Sequence, residues 1–330
     1  MHHTHKYSKA TSRSCDRPAI EAKGLTRRFG DQVALDGLDL EVPQGQIYGF
    51  LGPNGAGKST ALRMLCTLLR PSAGSARVAG HSVDNEPLEV RRRIGVALQE
   101  VALDDGQTGR QLLTLQGRLY GLSAADVRRR VDEVLDLVAI GDAIDRRIKT
   151  YSGGMKRRLD LAASLIHDPE VLFLDEPTTG LDPMSRFTAW SEIRHLNTEL
   201  AMTIFLTTQY LEEADELADR VGILSAGLIV AEGTPAELKR SQGRDLVVAE
   251  VEGRDPGALD RIASLPVVES VQSGDGLFII STLDGPGAIA PIAQVLGQTA
   301  LTVRRLTLRS PTLDDVFLDV TGSGIAVAQS

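Results

Sequence analysis

The chain of 330 residues has few cysteines and no long apolar run. Cys15 and Cys66 are its only cysteines and lack metal-type spacing, which excludes a disulfide framework and a zinc knuckle. Nowhere do about 18 apolar residues run without a charge, and the first residues lack the apolar stretch of a signal peptide. We therefore expect a chain that neither spans a membrane nor enters the secretory route by itself, and that works in a reducing cytoplasm.

The chain also lacks an excess of positive charge. Its 36 Lys and Arg residues are outnumbered by 44 Asp and Glu residues, for a formal net charge of −8. This balance argues against the broad basic surface of a general nucleic-acid binder, so no nucleic-acid partner is expected. With 42% hydrophobic and 24% charged residues, the composition is that of a soluble globular chain, and the length favours two folded units.

Composition and hydrophobic pattern divide the chain into three parts. Residues 1–18 are polar and without periodicity, which favours a disordered tail. The alternative is a metal-binding or membrane-surface role for its three histidines. Histidines in a tail without periodicity have no preset geometry for binding a ligand. Residues 19–240 are expected to form the main domain, and residues 241–330, which contain no lysine, a smaller accessory domain.

The start of the main domain changes from antiparallel strands to a strand, loop and helix. Short apolar segments between residues 19 and 42, broken at Gly30-Asp31 and Asp36-Gly37, predict antiparallel strands. Residues 46–51 are an apolar strand that ends in a glycine-rich turn, and residues 59–69 follow as a helix.

Further along the main domain, residues 108–140 have apolar residues at helical intervals and predict helix. The uninterrupted apolar runs 171–174 and 204–206 are too short for helices and predict parallel strands buried on both faces. Residues 221–224 and 228–231 predict a closing hairpin.

The accessory domain has a different order of elements. Strand and helix patterns alternate there as strand, helix, strand, strand, helix, strand and a last helix. This succession is the split βαβ pattern of a ferredoxin-like α+β domain.

A phosphate-binding motif lies between the strand 46–51 and the helix that follows. Gly52-Pro53-Asn54-Gly55-Ala56-Gly57-Lys58-Ser59 matches the P-loop pattern, and Thr60 continues it into the helix. The glycines let backbone N–H groups turn toward a phosphate, and the helix dipole adds positive charge there. Lys58 is expected to reach the β- and γ-phosphates of ATP, and Ser59 to offer its hydroxyl to Mg²⁺.

Two acids follow the buried strand 171–174. Asp175 is placed at the strand's carboxyl end, where ligands of open α/β sheets collect, and is expected to hold the water shell of Mg²⁺. Glu176 is expected to polarise the attacking water. The alternative for such a pair, a helix N-cap, is disfavoured by the P-loop upstream.

Five motifs in order resemble the ATP-binding cassette (ABC) ATPases over about residues 19–240. They are GPNGAGKST, Gln99 after a strand, YSGGM at 151–155, LFLDEP at 172–177 and GLD at 180–182. The resemblance implies an α/β P-loop NTPase with a mixed sheet core, an antiparallel β subdomain and a helical subdomain. It also implies that Gln99 belongs to the catalytic and Mg²⁺ set and that its loop, with Glu100–Tyr120, contacts a membrane permease.

The same resemblance implies roles for residues distant from the P-loop. Ser152-Gly153-Gly154 matches the family's signature loop, which contacts the γ-phosphate of ATP held by the opposite subunit. Asp182 resembles the aspartate that couples the two sites across the dimer. Phe29 stands at the position of the adenine-stacking aromatic, with a core phenylalanine as the alternative.

One position departs from the family. Gln209 stands where the family usually has a histidine. Its amide can donate to a γ-phosphate oxygen but cannot carry a proton, so the general-base or water-orienting role falls on Glu176.

The stretch QEVALDDGQTGRQLL, Gln209 and the ending SPTLDDVFLDVTG resemble the daunorubicin-resistance group of bacterial exporters. That resemblance implies an ATPase homodimer, peripheral on the cytoplasmic face of the membrane, which energises export of a hydrophobic drug, antibiotic or lipid through a separate permease. An importer subunit and a non-transport drug-binding ATPase remain alternatives. A soluble ATPase acting on ribosomes or DNA would carry a second P-loop or a long coiled coil, and neither is present in the sequence.

Overall fold

The computed structural model describes residues 17–99, 103–138, 140–274 and 276–322. They form two compact units that divide between Glu232 and Gly233. The change in composition lies further along the chain than this boundary, after Ser241. The helix at residues 235–241 resembles the first unit in composition, but it packs against the last helix of the second unit. Most of the expected tail, residues 1–16, lies outside the described residues.

The first unit contains ten strands, seven α-helices and two short 3-10 helices, at 141–145 and 148–150, within the described residues. In chain order the strands and α-helices are β1 (Ile20–Phe29), β2 (Gln32–Val42), β3 (Ile47–Leu51), α1 (Lys58–Leu65), β4 (Ala73–Val78), β5 (His81–Ser82), α2 (Pro87–Arg93), β6 (Ile94–Ala97), α3 (Gly109–Leu119), α4 (Ala124–Val138), α5 (Gly153–Leu165), β7 (Val171–Asp175), α6 (Pro183–Leu200), β8 (Thr203–Thr208), α7 (Leu211–Leu217), β9 (Arg220–Ser225) and β10 (Leu228–Gly233).

A six-stranded sheet in the order β10-β9-β3-β8-β7-β6 forms the centre of this unit. β3, β7 and β8 are buried along their whole length and pair in parallel with their neighbours in the middle of the sheet. The prediction of two parallel strands at 171–174 and 204–206 is therefore confirmed. Parallel strands have their carboxyl ends at the same edge of a sheet. The P-loop, Asp175 and Gln209 therefore all lie at that edge.

Two hydrophobic clusters cover the two faces of the sheet. Phe50, Phe173 and Phe205 belong to the cluster that includes the antiparallel sheet β2-β1-β4-β5. Leu172 and Ile204 belong to the cluster formed with helices α3–α6. The mixed central sheet, the antiparallel part and the helical part agree with the fold that the sequence implies.

Two details of the predicted elements are wrong. β2 continues through Asp36-Gly37, because a register irregularity in its pairing with β1 absorbs the turn residues without ending the strand. Helix does not continue over residues 108–140: α3 and α4 are separated at residues 120–123, where Gly121 has a φ of +82°.

The second unit has four strands and four helices in the described residues. They are α8 (Pro235–Ser241), β11 (Asp245–Glu252), α9 (Ala258–Ala263), β12 (Val268–Gly274), β13 (Leu277–Thr282), α10 (Gly285–Gly297), β14 (Thr302–Arg309) and α11 (Leu313–Thr321). The sheet order is β12-β13-β11-β14 with antiparallel neighbours. This is the split βαβ order that the sequence predicts, with α9 and α10 packed on one face.

Across the described ranges of both units, no helix combines the length and the apolar character needed to cross a bilayer.

Candidate active site

The P-loop joins the carboxyl end of β3 to the amino end of α1. α1 begins at Lys58, and none of the described side chains caps its first turn. The first N–H groups of a helix have no partner within the helix, and they carry the positive end of its dipole. An uncapped first turn beside a glycine-rich loop is suited to an anion such as a phosphate.

Gly57 allows this loop to pass close to β2. Its φ is +111°, a conformation that side chains rarely adopt, and a Cβ there would lie 2.5 Å from the carbonyl oxygen of Ala34. Glycine is therefore required at this position both by backbone conformation and by space.

Lys58 is held inside the loop. Its ammonium group donates to the carbonyl oxygens of Gly52 and Pro53, at 2.8 and 3.2 Å, and its Nζ lies 3.4 Å from Oε1 of Glu176. Burial lowers the pKa of Lys58, while the negative charge of Glu176 opposes that shift. Both side chains are more than nine-tenths buried, so little of this ion pair is exposed to bulk solvent.

Asp175 and Ser59 bring oxygen atoms together beside the P-loop. The hydroxyl of Ser59 donates to Oδ1 of Asp175 at 3.1 Å, and the hydroxyl of Thr207 on β8 donates to the same oxygen at 2.6 Å. Thr207 also fixes the neighbouring acid, because its Oγ1 accepts from the backbone N–H of Glu176. Sequence reasoning missed Thr207; its position in LTTQ, directly before Thr208 and Gln209, was the available signal.

Glu176 itself has an unusual backbone conformation, with a φ of +49°. Its Oε2 accepts a hydrogen bond from the hydroxyl of Thr179 at 3.1 Å. The sharp turn after β7 and these hydrogen bonds direct the carboxylate toward Lys58.

A cavity of about 790 Å³ opens above these groups. The predicted residues that line it are Phe29, Asn54, Gly55, Gly57, Lys58, Ser59, Thr60, Gln99, Glu176 and Gln209. The lining residues that the sequence did not suggest are Gln32, Val33, Ala34, Thr179, Ala226 and Gly227. A volume of this size is typical of small-molecule sites.

Phe29 lies at the edge of this cavity and is not a core residue. Its side chain is 46% exposed, and the guanidinium of Arg27 lies 4.5 Å from the centre of its ring. The alternative of a core phenylalanine is therefore wrong, and an exposed aromatic face is present where a base could stack.

Ser152, Gly153, Gly154 and Asp182 do not line this cavity. Ser152 caps α5, its hydroxyl accepting from the N–H of Met155. Asp182 caps α6, accepting from the N–H of Ser185 at 3.0 Å. Within one copy of the chain, Ser152 and Asp182 act as helix caps, and Gly153 and Gly154 are the first residues of α5.

The family models and the relatives agree with this geometry. The ABC transporter model matches residues 35–179, and the model described as the C-terminal domain of ATP-binding protein DrrA1-3-like proteins matches residues 233–321. A structure of cbiO1 from Clostridium perfringens, part of the ABC transporter complex cbiONQ, is similar with a TM-score of 0.63 at 28% identity. That match covers 68% of this chain and 91% of the other.

Relatives match almost the whole chain. The daunorubicin/doxorubicin resistance ATP-binding protein DrrA of Streptomyces peucetius is 47% identical over 92% of each chain. The doxorubicin resistance ATP-binding protein DrrA of Mycobacterium tuberculosis is 42% identical over 93% of this chain and 94% of the relative. The Nod factor export ATP-binding protein I of Ralstonia nicotianae is 40% identical over 92% and 94%. The chain therefore belongs to the ABC transporter ATP-binding proteins, as an ATPase subunit related to the daunorubicin/doxorubicin-resistance group.

Proposed function

We propose that the cavity above the P-loop binds Mg-ATP and that this chain hydrolyses it there. The carrying observation is the uncapped start of α1 beside the buried Lys58 and Glu176 pair. Residues 52–60 hold the phosphates, Lys58 contacts the β- and γ-phosphates, and Phe29 stacks on the base.

The proposed Mg²⁺ ligands fit the chemistry of this ion. Mg²⁺ prefers oxygen ligands and is commonly held by one or two carboxylates together with substrate phosphates. The hydroxyl of Ser59 and the carboxylate of Asp175 lie 3.1 Å apart, and Gln99 adds an amide oxygen on the same cavity. When bound, the ion neutralises charge on the phosphates.

Glu176 and Gln209 have different tasks in this proposal. Glu176 accepts a proton from the attacking water or orients it, because it is the carboxylate directed into the cavity beside Lys58. Gln209 lies across the same cavity and donates its amide to a γ-phosphate oxygen. No proton passes through Gln209.

The signature loop acts in this proposal on the ATP of a second copy of the chain. Neither Gly153 nor Gly154 has a positive φ, and a Cβ on either residue would have no atom within 4 Å, so nothing within their own unit requires glycine. Both are exposed beside Ser152 at the start of α5. Two residues without side chains at an exposed helix start allow another molecule to approach the backbone closely. Asp182, also at an exposed helix start, links the two sites.

We also propose that the dimer is peripheral on the cytoplasmic face of the membrane and energises export of a hydrophobic drug through a separate permease. The names of the DrrA relatives support a drug as the transported compound, while those of the Nod factor relatives support export more generally. Daunorubicin efflux from cells that express the chain together with a candidate permease tests this. Efflux should stop in the Glu176→Gln variant, and equal efflux would contradict the proposal.

ATP turnover by the full-length chain tests the roles of Glu176 and Gln209. Glu176→Gln should lower kcat by about 100-fold or more while ATP still binds, because general-base catalysis is lost and the cavity is not. Gln209→Ala should have a smaller effect, about tenfold, because one hydrogen bond to the transition state is removed. If Glu176→Gln kept normal turnover and Gln209→Ala abolished it, the assignment would be wrong.

A matched control for this experiment is available on α6. Glu199 is exposed and distant in sequence from the P-loop, and Glu199→Gln removes the same charge as Glu176→Gln. Its turnover should equal that of the unaltered chain. A comparable loss in this variant would mean that the effect comes from net charge.

A further inference from the structure

Glu213 is a fully buried acid that the proposed hydrolysis does not use. It lies in the first turn of α7, and its exposed fraction is 0%. Burial raises the pKa of its carboxyl group, while hydrogen bonds from neighbouring side chains oppose that shift. A buried carboxyl group lowers stability relative to an apolar side chain of similar size unless its partners compensate. The role of this buried carboxyl group is therefore expected to depend on its hydrogen-bond partners.

Two side chains from other elements donate to the same oxygen of Glu213. The hydroxyl of Thr178 donates to Oε1 at 2.7 Å, and the indole N–H of Trp190 donates to it at 3.0 Å. Thr178 is 0% exposed and Trp190 is 5% exposed. Two hydrogen bonds to one buried carboxylate oxygen hold the three side chains in a single arrangement.

The partners connect the segments that carry the proposed catalytic groups. Thr178 lies two residues after Glu176, in the segment between β7 and α6. Glu213 lies four residues after Gln209, on the helix that this residue precedes. The hydrogen bond between Thr178 and Glu213 thus ties the segment of Glu176 to the segment of Gln209.

A second contact joins α6 to the segment of Gln209. The guanidinium of Arg186, on α6, lies 4.3 Å from the centre of the ring of Tyr210, and Tyr210 directly follows Gln209. α6 is therefore fixed to the residues after Gln209 by an aromatic contact as well as by the hydrogen bond of Trp190.

We propose that Glu213 is a positioning residue, which sets the separation of Glu176 and Gln209 through its hydrogen bond from Thr178. The inference rests on the roles proposed for Glu176 and Gln209. Hydrolysis requires both groups to meet the same γ-phosphate and water, and a displacement of about 1 Å can lower the rate by about 100-fold. Binding of ATP depends mainly on the P-loop, which Glu213 does not contact through the hydrogen bonds described above.

A double-mutant cycle measured by ATP turnover of the full-length chain tests this role. Glu213→Leu and Thr178→Val each remove the hydrogen bond between the segments and should lower kcat by about 10- to 100-fold, with KM for ATP changed less than about threefold. The double variant should be no slower than the slower single variant, because both changes remove the same hydrogen bond between Thr178 and Glu213. Glu213→Gln keeps an oxygen that accepts from Thr178 and should restore kcat to within about threefold.

Controls separate positioning from loss of folding. Glu216→Leu makes the same change at an exposed residue of α7 and should leave kcat unchanged. Circular dichroism reports whether each variant is folded, because Trp190 donates to Glu213 and its fluorescence would respond directly to the Glu213 substitutions. If Glu213→Leu does not fold, Thr178→Val, which keeps the shape of the side chain, decides the question together with Glu213→Gln.

Three results would overturn the inference: normal kcat in Thr178→Val, multiplicative losses in the double variant, or a KM that rises as much as kcat falls. Failure of the proposed function is a separate result. It would show as absence of ATP turnover in the unaltered chain, whereas turnover that is insensitive to Thr178 and Glu213 would reject the positioning role alone.

Discussion

Asp160 has a carboxyl group whose protonation changes near neutral pH. It lies on α5, where burial raises its pKa from 3.8 to about 6 and the charge of Arg157 opposes the shift. Arg157 is fixed in turn, because its guanidinium donates to the carbonyl oxygen of Leu98 at 2.7 Å. The folded chain therefore binds a proton at Asp160 more tightly than the unfolded chain does.

This difference predicts how the stability of the first unit depends on pH. Because the folded-state pKa is higher, the contribution of Asp160 to the free energy of unfolding increases as pH falls through about 6 toward 4. Relative to Asp160→Asn, which cannot titrate, the unaltered chain should gain about 2 kcal/mol between about pH 7.5 and about pH 4.5. Urea unfolding followed by Trp190 fluorescence measures both proteins, and a difference that stays constant with pH would contradict the assignment.

At the scale of residues, the sequence predicts those groups whose task requires a particular side chain or backbone conformation. Gly57 and Lys58 could be placed because a phosphate cradle needs a glycine and a cation at fixed spacing. Thr207 and Glu213 could not, because threonine and glutamate are common and their tasks arise from hydrogen bonds between β7, β8, α6 and α7. Such contacts depend on the order of strands in the sheet, which is not a local property of the sequence.

At the scale of elements, close packing of α7 on β3 depends on a glycine. A Cβ on Gly49 would lie 2.9 Å from the Cβ of Ala218 and 3.8 Å from that of Ala214. Both of those atoms are attached directly to the backbone, so neither can move without the helix end.

Gly49→Ala should therefore lower the free energy of unfolding by about 1–3 kcal/mol, because the added methyl group overpacks the interface. It should also lower ATP turnover, because displacing α7 moves the segment that contains Gln209. Chemical unfolding followed by circular dichroism measures the first effect. Gly274→Ala is the matched control, since no atom lies within 4 Å of a Cβ there; equal stability of Gly49→Ala and the unaltered chain would mean that α7 adjusts at no cost.

Elements were predictable where the hydrophobic pattern changes at their ends. β7 and β8 are apolar runs followed by polar residues, and the structure places them as parallel neighbours. The break between α3 and α4 was not predicted, because both helices bury apolar residues in the same cluster and the periodicity continues on either side. Gly121 and Ser123 were the available signals, since Gly121 has a positive φ and the hydroxyl of Ser123 accepts from the N–H of Asp126 at the start of α4.

At the scale of the whole molecule, the change in composition along the chain indicated a second unit, and the succession of strand and helix patterns predicted its order of strands. One hydrophobic cluster of that unit forms from β11–β14, α9 and α10, so the pattern of these elements can be read without reference to the first unit. The arrangement of two copies cannot be read in this way, because Ser152 looks like an ordinary N-cap and Gly154 like an ordinary first-turn residue of α5 within one chain.

The proposed pairing of P-loop and signature loop predicts a dimer that depends on ATP. The Glu176→Gln variant, which should bind Mg-ATP and hydrolyse it slowly, should change from a mass of 35.5 kDa to twice that mass when Mg-ATP is added, as measured by sedimentation or light scattering. The reason is that bound ATP supplies contacts only to the closed pair. A variant that binds ATP and remains monomeric would contradict the pairing.

A second substitution identifies the surface that pairs. A Cβ on Gly154 would meet no atom of its own unit within 4 Å, so Gly154→Leu in the Glu176→Gln background should fold and bind ATP normally. It should nevertheless remain monomeric, because the added side chain occupies the space through which the γ-phosphate of the partner's ATP would approach the start of α5. Dimerisation that is unchanged by Gly154→Leu would place the contact between copies on another surface, and the phosphate would then have to be bound by the P-loop without help from the signature loop.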